Sequence, residues 1–418
     1  MTEKSAPQGF HMLAKPTGPI CNLDCDYCFY TEKEALFSRN PTYRMSDEVL
    51  EAFIQKYIET QTSPEVSFVW QGGEPTLIGL DFYRKVVQFQ RKYAGGKRIE
   101  NSLQTNGTLL DEEWCAFLAE NRFMVGLSLD GPEFIHDRYR VDRGKKPTFH
   151  RVMRALKLLQ AFGVEYNILA CVTRESSQHP LEVYRFFKEQ GIRFIQFIPI
   201  VERAPDRIAA DLGLRHAAPS SPKQQDVQQE VTAWSVEPEA YGDYLNQIFD
   251  EWVKQDVGTV HVMNFEWALT SWLGLPSTIC IFSERCGQAV VMEHNGDIYS
   301  CDHYVYPQHK LGNILHDNPH ELMMSDQQIG FGASKALDLP LECQRCEVRF
   351  ACHGECPKRR FTLSGEGEPG LNYLCKGYKK YFRHIHPYMK VMVQLIEHGL
   401  PASKVMDVIK GPLIVKTK

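Results

Sequence analysis

The 418-residue sequence has no run of about 18 apolar residues, so we expect no membrane-spanning helix. Residues Met1–Gln8 are polar and lack the apolar stretch of a secretory signal. The formal net charge is only −5, without the basic excess typical of proteins that bind nucleic acids. With 43% hydrophobic and 24% charged residues, the composition suits a globular protein long enough for two or three domains. We therefore expect a cytoplasmic protein with neither a membrane nor a nucleic acid as partner.

Cysteine, in contrast, is abundant, with 13 residues. In a chain without an export signal, these residues are better explained as metal ligands than as disulfides. Three of them form a CxxxCxxC motif in the short polar loop Cys21–Tyr30. Thiolates bind iron well, and three closely spaced ones can hold three corners of a [4Fe–4S] cluster while the fourth iron accepts a small molecule. A structural zinc site would need a fourth ligand, which does not follow within the loop, and a zinc knuckle or unrelated cysteines remain the alternatives.

Strand-like and helix-like segments alternate through the first half of the chain. Several of the short apolar segments end in Gly, Asn or Asp turn residues, and amphipathic segments separate them. This rhythm indicates parallel βα units whose strand ends meet at the edge where α/β barrels place their sites. The predicted strands cover residues 9–16, 66–70, 102–106, 124–130, 166–173 and 194–200, and the predicted helices cover 47–59, 81–93, a segment from 111, 148–162 and 181–190.

Residues 202–239 interrupt this rhythm. They are rich in Ala, Pro, Ser, Gln and Asp and contain few large apolar residues, which predicts a lid or a mobile linker. A surface excursion without function is an equally good interpretation. Helical periodicity returns at Tyr241–Lys254, and the tail, 376–418, contains a predicted helix from Lys376 to about Leu400 that packs on the core.

Eight more cysteines lie in the second half of the chain, at positions 280, 286, 301, 343, 346, 352, 356 and 375. Eight thiolates make two complete four-ligand sites, and their local spacing alone fits zinc ribbons as well as iron–sulfur clusters. The two remaining cysteines, Cys115 and Cys171, are expected to be buried thiols without a ligand role.

The CxxxCxxC motif, with the aromatic Tyr27 before its last cysteine, resembles the signature of the radical S-adenosylmethionine (SAM) enzymes. The resemblance implies an α/β fold, a partial (β/α)6 TIM-like barrel over residues 1–240. In that family the open iron binds the amino and carboxylate groups of SAM, and reductive cleavage yields a 5′-deoxyadenosyl radical that abstracts a hydrogen from the substrate. For this sequence, the resemblance implies a SAM-binding [4Fe–4S] cluster on Cys21, Cys25 and Cys28.

The same resemblance assigns residues to SAM. Gly72 and Gly73 belong to a GGEP segment after the second strand, whose backbone meets the SAM amino group in the family. Ser128 and Arg140 correspond to contacts with the methionine part and the carboxylate of SAM. The alternative for these two residues is a strand-end serine and a surface arginine.

Further positions near the cluster are assigned in the same way. Tyr27 and Val201 match positions that flank SAM and its adenine, although core packing would also explain the valine. Tyr30 and Gln71 are candidates for contacts to the substrate.

The second half of the chain resembles the SPASM extension of radical SAM peptide-modifying enzymes. We expect it to be a loop-rich domain over residues 241–375, with two auxiliary [4Fe–4S] clusters that bring the cofactors to three clusters and SAM. Because metal supplies much of the folding energy of small metal domains, this region should be largely disordered without it. The resemblance implies interlaced ligands: a first auxiliary set, Cys280, Cys286, Cys301 and Cys356, and a second auxiliary set, Cys343, Cys346, Cys352 and Cys375.

Asp302 follows Cys301 directly, and this Cys-Asp pair resembles the anaerobic sulfatase-maturating enzymes, whose aspartate acts as general base. The activity implied is oxidation of a Cys or Ser residue in an unfolded sulfatase polypeptide to Cα-formylglycine. Hydrogen abstraction from Cβ would be followed by proton loss to Asp302 and electron loss to an auxiliary cluster. The implied partners are the sulfatase and a flavodoxin- or ferredoxin-like reductant. A turn aspartate is the alternative.

Two other functions compete with this one. Another SPASM enzyme would form thioether or carbon–carbon crosslinks in a precursor peptide, often with an N-terminal winged-helix module. Fewer than about twenty residues precede Cys21, too few for such a module, which favours sulfatase maturation. The second competitor is a metal-binding scaffold or redox sensor without catalysis. The sequence leaves open whether the target residue is cysteine or serine.

Overall fold

The structure is a computed structural model that describes residues 9–37, 43–219 and 230–409. Its ten-stranded sheet consists of β1 (His11–Ala14), β2 (Glu65–Trp70), β3 (Arg98–Thr105), β4 (Phe123–Ser128), β5 (Tyr166–Val172), β6 (Phe194–Pro199), β7 (His261–Val262), β8 (Ala289–Met292), β9 (Asp297–Tyr299) and β10 (Lys310–Asn313). Strands β1 to β6 lie side by side in chain order and are all parallel. The predicted partial α/β barrel is therefore confirmed.

Helices follow the strands as the rhythm of the sequence predicts. The first half contains α1 (Asp47–Thr60), α2 (Leu80–Tyr93), α3 (Glu112–Glu120), α4 (Glu133–Tyr139), α5 (Phe149–Ala161), α6 (Pro180–Glu189) and α7 (Arg207–Asp211). The second half contains α8 (Pro238–Gln255), α9 (Met263–Trp272), α10 (Pro319–Met323), α11 (Asp326–Leu337), α12 (Leu341–Gln344), α13 (Arg349–Cys352), α14 (Cys375–Glu397) and α15 (Val405–Val408). Within the described ranges, no helix is long and apolar enough to cross a membrane.

The two faces of the barrel strands differ in burial. Along β2, Val66, Phe68 and Trp70 are fully buried against the helices, whereas the residues between them are half-buried. Strands β5 and β6 show the same alternation. Since successive side chains of a strand point to opposite faces, the second face of each strand points into the barrel. Gln104 of β3 and Gln196 of β6 point this way and line a cavity, which explains polar residues inside a parallel sheet.

The sheet continues past residue 240 into the region predicted as the SPASM domain. Strand β8 pairs with β1 in parallel, and β9 and β10 follow in antiparallel order. The β8–β9 turn and the segment after β9 consequently lie beside β1 and the cysteine loop. Strands from both predicted domains thus belong to one sheet, which does not mark a division at residue 240. The domain boundary at 240 stays a prediction.

The described parts of the predicted lid or linker lie against the segment that follows the cysteine loop. The Glu32 carboxylate accepts hydrogen bonds from the backbone N–H groups of Arg215 and His216, and it lies 3.1 Å from His216 Nδ1. Residues 220–229 of the segment fall outside the described residues, and the lid or linker role remains a prediction.

The predicted C-terminal helix is α14, which packs against α8 and α9. Its start is pressed against α8, because a Cβ on Gly377 would lie 1.9 Å from the carbonyl oxygen of Pro238. Glycine therefore lets the two helices meet backbone to backbone. Residues 410–418 of the predicted tail fall outside the described residues.

Candidate active site

A cavity of about 480 Å³ opens inside the barrel at the carboxyl ends of the parallel strands. This is the end at which α/β barrels carry their active sites. Its wall combines the cysteine loop, the ends of β2 to β6, and residues 279–281, 302–303, 356 and 359 of the second half. Both halves of the chain thus contribute to one site.

The three cysteines of the CxxxCxxC motif, Cys21, Cys25 and Cys28, all line this cavity. Burial, with the charge of Glu74 second, raises the pKa of Cys21 to about 12. Burial also raises the pKa of Cys25 well above its ordinary value, and negative charge on the other two thiols adds to it. Thiols this buried ionise only beside positive charge, which a bound iron–sulfur cluster would supply.

The eight cysteines of the second half form two groups in space. Negative charge on Cys280 and Cys356 acts to raise the pKa of both Cys286 and Cys301, so the first auxiliary set is close together. All four members of the second auxiliary set line one small pocket. The structure thus brings together the two interlaced groups that the resemblance implies.

Asp130 organises the wall beside the cysteine loop. Its Oδ2 accepts hydrogen bonds from the Tyr27 hydroxyl at 2.6 Å and from Arg140 Nε at 2.9 Å, and its Oδ1 accepts one from the Cys171 N–H. Burial acts to raise the pKa of Asp130, but the charge of Arg140, together with the hydrogen bonds from Arg140 and Tyr27 and the charge of His136, lowers the pKa overall. Arg140 is buried rather than at the surface, and Ser128 lines the same wall.

Asp302 faces the cavity from the second half of the chain and pairs with Lys15 at the end of β1. Lys15 is only 1% exposed, and its Nζ lies 3.2 Å from the centroid of the Tyr30 ring. The Tyr30 hydroxyl donates to Glu293, 2.7 Å away. Burial acts to raise the pKa of Asp302, but Lys15 and then His303 outweigh it and lower the pKa. The cavity therefore presents an ionised carboxylate at neutral pH.

Comparisons with known proteins agree with this geometry. The Radical SAM superfamily profile matches residues 16–187, and the SPASM profile, an iron–sulfur cluster-binding domain, matches residues 280–347. A serine-type anaerobic sulfatase-maturating enzyme of Bacteroides thetaiotaomicron is 46% identical over 96% of this chain and 95% of its own length. The chain belongs to the anaerobic sulfatase-maturating enzyme family.

Other members of this family are similar over nearly the same length. A cysteine-type anaerobic sulfatase-maturating enzyme of Clostridium perfringens is 35% identical over 90% of this chain and 96% of its own length. The solved structure of native anSMEcpe with bound AdoMet and Cp18Cys peptide has a TM-score of 0.79. It is 34% identical and covers 92% of this chain and 99% of that chain. Family membership confirms the predicted radical SAM fold with its SPASM region, and it makes the chain an oxidoreductase-type enzyme that uses SAM and iron–sulfur clusters.

Within this family framework, most of the predicted SAM contacts share the cavity wall. Tyr27, Gly72, Gly73, Ser128 and Arg140 all line the cavity, as do the two candidate substrate contacts, Tyr30 and Gln71. Val201 is instead packed in the hydrophobic core, and its neighbour Ile200 lines the cavity. The individual roles of these residues stay predictions.

Three residues of the site were missed by sequence reasoning. Lys15, Asp130 and Glu293 carry charge beside the cavity, yet each lies in a segment that looks like an ordinary strand end or turn. Asp130 was detectable, since it is the last residue of the predicted strand 124–130 and precedes a turn glycine, Gly131. Cys171 was expected to be a buried thiol, but its side chain lines the cavity and accepts a hydrogen bond from Arg140.

The GGEP segment holds the start of the cysteine loop by backbone hydrogen bonds, and glycine permits the close approach. The Gly73 and Glu74 N–H groups donate to the carbonyl oxygens of Gly18 and Ile20, both at 2.8 Å. A Cβ on Gly73 would lie 2.1 Å from the Ile20 oxygen, which no side chain tolerates. The buried Glu74 carboxylate ties this segment to the end of β3 through Thr105 and the N–H of Asn106.

Replacing Gly73 by alanine should therefore displace the segment that enters the cysteine loop. Overpacking of this kind costs about 1–3 kcal/mol. We expect Gly73→Ala to bind one cluster less than the parent protein and to lose SAM cleavage, measured as iron and deoxyadenosine per chain. Gly330→Ala is the matched control, since a Cβ there meets nothing within 4 Å. Unchanged iron and SAM cleavage in Gly73→Ala would contradict this account.

Proposed function

We propose that the protein oxidises a Ser or Cys residue of an unfolded sulfatase polypeptide to Cα-formylglycine. One observation carries the proposal: Asp302, an ionised carboxylate, lines the same cavity as Cys21, Cys25 and Cys28. The names of the relatives support it, because both serine-type and cysteine-type sulfatase-maturating enzymes match nearly the whole chain. The higher identity of the serine-type relative favours serine as an accepted residue.

The proposed cofactors are SAM and three [4Fe–4S] clusters, one on the CxxxCxxC motif and one on each auxiliary set. When bound, they supply the deoxyadenosyl radical that takes hydrogen from Cβ and the acceptor for the electron that the substrate then loses. The proposed reductant is a flavodoxin- or ferredoxin-like protein. The residues proposed to hold SAM are Tyr27, Gly72, Gly73, Ser128 and Arg140, which line the cavity, whereas Val201 lies in the core behind Ile200.

The chain itself has three tasks in this proposal. The cysteine loop and the strand ends hold the substrate and SAM in one pocket, with Tyr30 and Gln71 at the substrate. Asp302 accepts the proton of the substrate hydroxyl or thiol as the carbon–heteroatom double bond forms. Lys15, itself buried at the end of β1, keeps that carboxylate charged and fixes its position through the ion pair.

Peptide mass spectrometry tests the proposal directly. A sulfatase-motif peptide with Ser and one with Cys would be incubated anaerobically with reconstituted protein, SAM and dithionite, and any aldehyde trapped with a hydrazide. We expect trapped aldehyde on the Ser peptide. Deoxyadenosine without aldehyde on either peptide would point to another peptide modification, such as a crosslink. No deoxyadenosine from an iron-replete sample would overturn the enzyme assignment.

The Lys15–Asp302 pair predicts a shift in pH dependence. Lys15 lowers the pKa of Asp302, so the carboxylate stays ionised as the pH falls and protonates only at a low pH. In Lys15→Met the pKa of Asp302 should rise, and the acidic limb of the aldehyde-forming rate should move to higher pH. The rate profile against pH measures this, with the exposed Lys85→Met as control. An acidic limb at the parent position would show that Lys15 does not set the charge of Asp302.

A further inference from the structure

Two buried cations lie among the cysteines of the second half. Lys335 is 0% exposed and Arg360 is 2% exposed. Lysine and arginine are almost never this buried unless an anion compensates them. In the part of the chain that the structure describes, no carboxylate forms a salt bridge with either side chain.

Both side chains donate to backbone carbonyl groups instead. Lys335 Nζ lies 2.6 Å from the carbonyl oxygen of Cys280 and 2.9 Å from that of Ile281. Arg360 donates to the carbonyl oxygens of Gly354, Lys335, His353 and Glu355. Carbonyl dipoles orient an ammonium or a guanidinium group, but they do not neutralise its charge.

Lys335 lies beside the first auxiliary set, because the carbonyl oxygen that its Nζ contacts at 2.6 Å belongs to Cys280. Burial lowers the pKa of Lys335, and negative charge on Cys286, Cys356 and Cys280 opposes that shift. These three cysteines belong to the first auxiliary set. The buried Glu355 carboxylate also lies near Cys356, but Arg359 pairs with it at 2.5 Å and takes up its charge.

Arg360 lies beside both auxiliary sets, because it donates to the carbonyl oxygens of His353 and Glu355, which adjoin Cys352 of the second set and Cys356 of the first. Its charge acts to lower the pKa of Cys286 in the first set and of Cys343 in the second. Lys335 is among the charges that act on three cysteines of the first set, Cys280, Cys286 and Cys356. The two cations therefore differ in the cysteines on which their charges act. Lys335 acts on the first auxiliary set, and Arg360 acts on both sets.

We propose that Lys335 and Arg360 are the buried counter-charges of the auxiliary clusters, and that Lys335 raises the reduction potential of the cluster on the first set. The proposal rests on the cofactors proposed above. Four thiolates outweigh the positive charge of an iron–sulfur core, and an added electron makes the assembly more negative still. A fixed cation in a poorly solvated site stabilises that reduced form. Lys335 thus acts as a positioning residue that makes the first auxiliary cluster a better electron acceptor.

The experiment uses the full chain with Cys21, Cys25 and Cys28 changed to Ala, which removes the SAM-binding cluster. Iron analysis first checks that two clusters remain, and a shortfall there would contradict the cofactor proposal rather than this one. Midpoint potentials are then read by electron paramagnetic resonance during a redox titration. Lys335→Gln keeps a hydrogen-bond donor towards the Cys280 carbonyl and removes only the charge.

We expect Lys335→Gln to move one of the two potentials to a more negative value and to leave the other unchanged. The expected shift is at least tenfold in the one-electron equilibrium constant, about 59 mV. Arg360→Gln should move both potentials, and the exposed Lys85→Gln should move neither. The proposal is overturned if both potentials in Lys335→Gln equal those of the parent or shift together. If Lys335→Gln does not retain its iron, the potentials of Arg360→Gln become the test. Potentials in Arg360→Gln that equal those of the parent then overturn the proposal.

Discussion

Asp302→Asn should keep the iron content and the SAM cleavage of the parent protein and lose formylglycine formation by about 10²-fold or more. The amide has nearly the shape of the carboxylate, but it cannot accept the substrate proton. It also leaves the buried Lys15 beside a neutral group, so some loss of stability is expected. The ratio of trapped aldehyde to deoxyadenosine in one reaction is the appropriate measurement, because it does not depend on the amount of folded protein.

The control for this variant is Asp81→Asn, which neutralises a carboxylate that is 89% exposed on α2. It should leave the ratio unchanged. If Asp302→Asn forms aldehyde at the parent ratio, another group accepts the proton, and Asp302 serves only to neutralise Lys15. If Asp302→Asn loses deoxyadenosine as well, the carboxylate is needed to hold SAM or the substrate and not only to take the proton.

The barrel was predictable because its signals are local. Strands β2, β4, β5 and β6 are short and largely apolar segments, and several helix starts are marked by side chains. Ser46, for example, accepts a hydrogen bond from the N–H of Val49, and Asp111 accepts one from that of Trp114. Such caps and periodicities involve residues close in sequence, so they can be recognised from the sequence alone.

The continuation of the sheet was not predictable in the same way. Strands β8, β9 and β10 contain only three or four residues each, too few to establish an alternation. Their place is set by the pairing of β8 with β1, between residues 11–14 and 289–292. No local pattern reports a contact between segments so far apart along the chain.

The residues of the site also fall into those that a local pattern reveals and those that only long-range pairing brings together. The cysteines were detectable because their number and spacing are rare in ordinary sequences. Lys15, Tyr30, Glu293 and Asp302 are polar residues of common types, and only the β1–β8 pairing places them together. Asp302 was detected through the cysteine beside it, whereas Lys15 had no such neighbour. The charge state of the carboxylate, which depends on Lys15, could therefore not be derived from the sequence.

Changing Cys25 to alanine should reduce SAM cleavage to the background of a metal-free sample. Cys25 is buried in the cysteine loop and lines the cavity, so its replacement removes one of the three thiolates proposed to hold the SAM-binding cluster. A cluster with two protein ligands in place of three would be lost, and SAM would have no iron to bind. The auxiliary sets lie on other segments, so the variant should keep two clusters of iron. Deoxyadenosine and iron per chain, measured after anaerobic reconstitution, report both effects.

The Cys115→Ala variant is the control for Cys25→Ala. It distinguishes the loss of a cluster ligand from the loss of any buried thiol. Cys115 is buried, as Cys25 is, but it lies in the core on α3 and belongs to none of the three cysteine groups. Its alanine variant should lose some stability through the small cavity it creates and keep both iron and SAM cleavage. Retained cleavage in Cys25→Ala would mean that the open-iron cluster is held elsewhere. Loss of cleavage in both variants would mean that the assay reports folding rather than ligation.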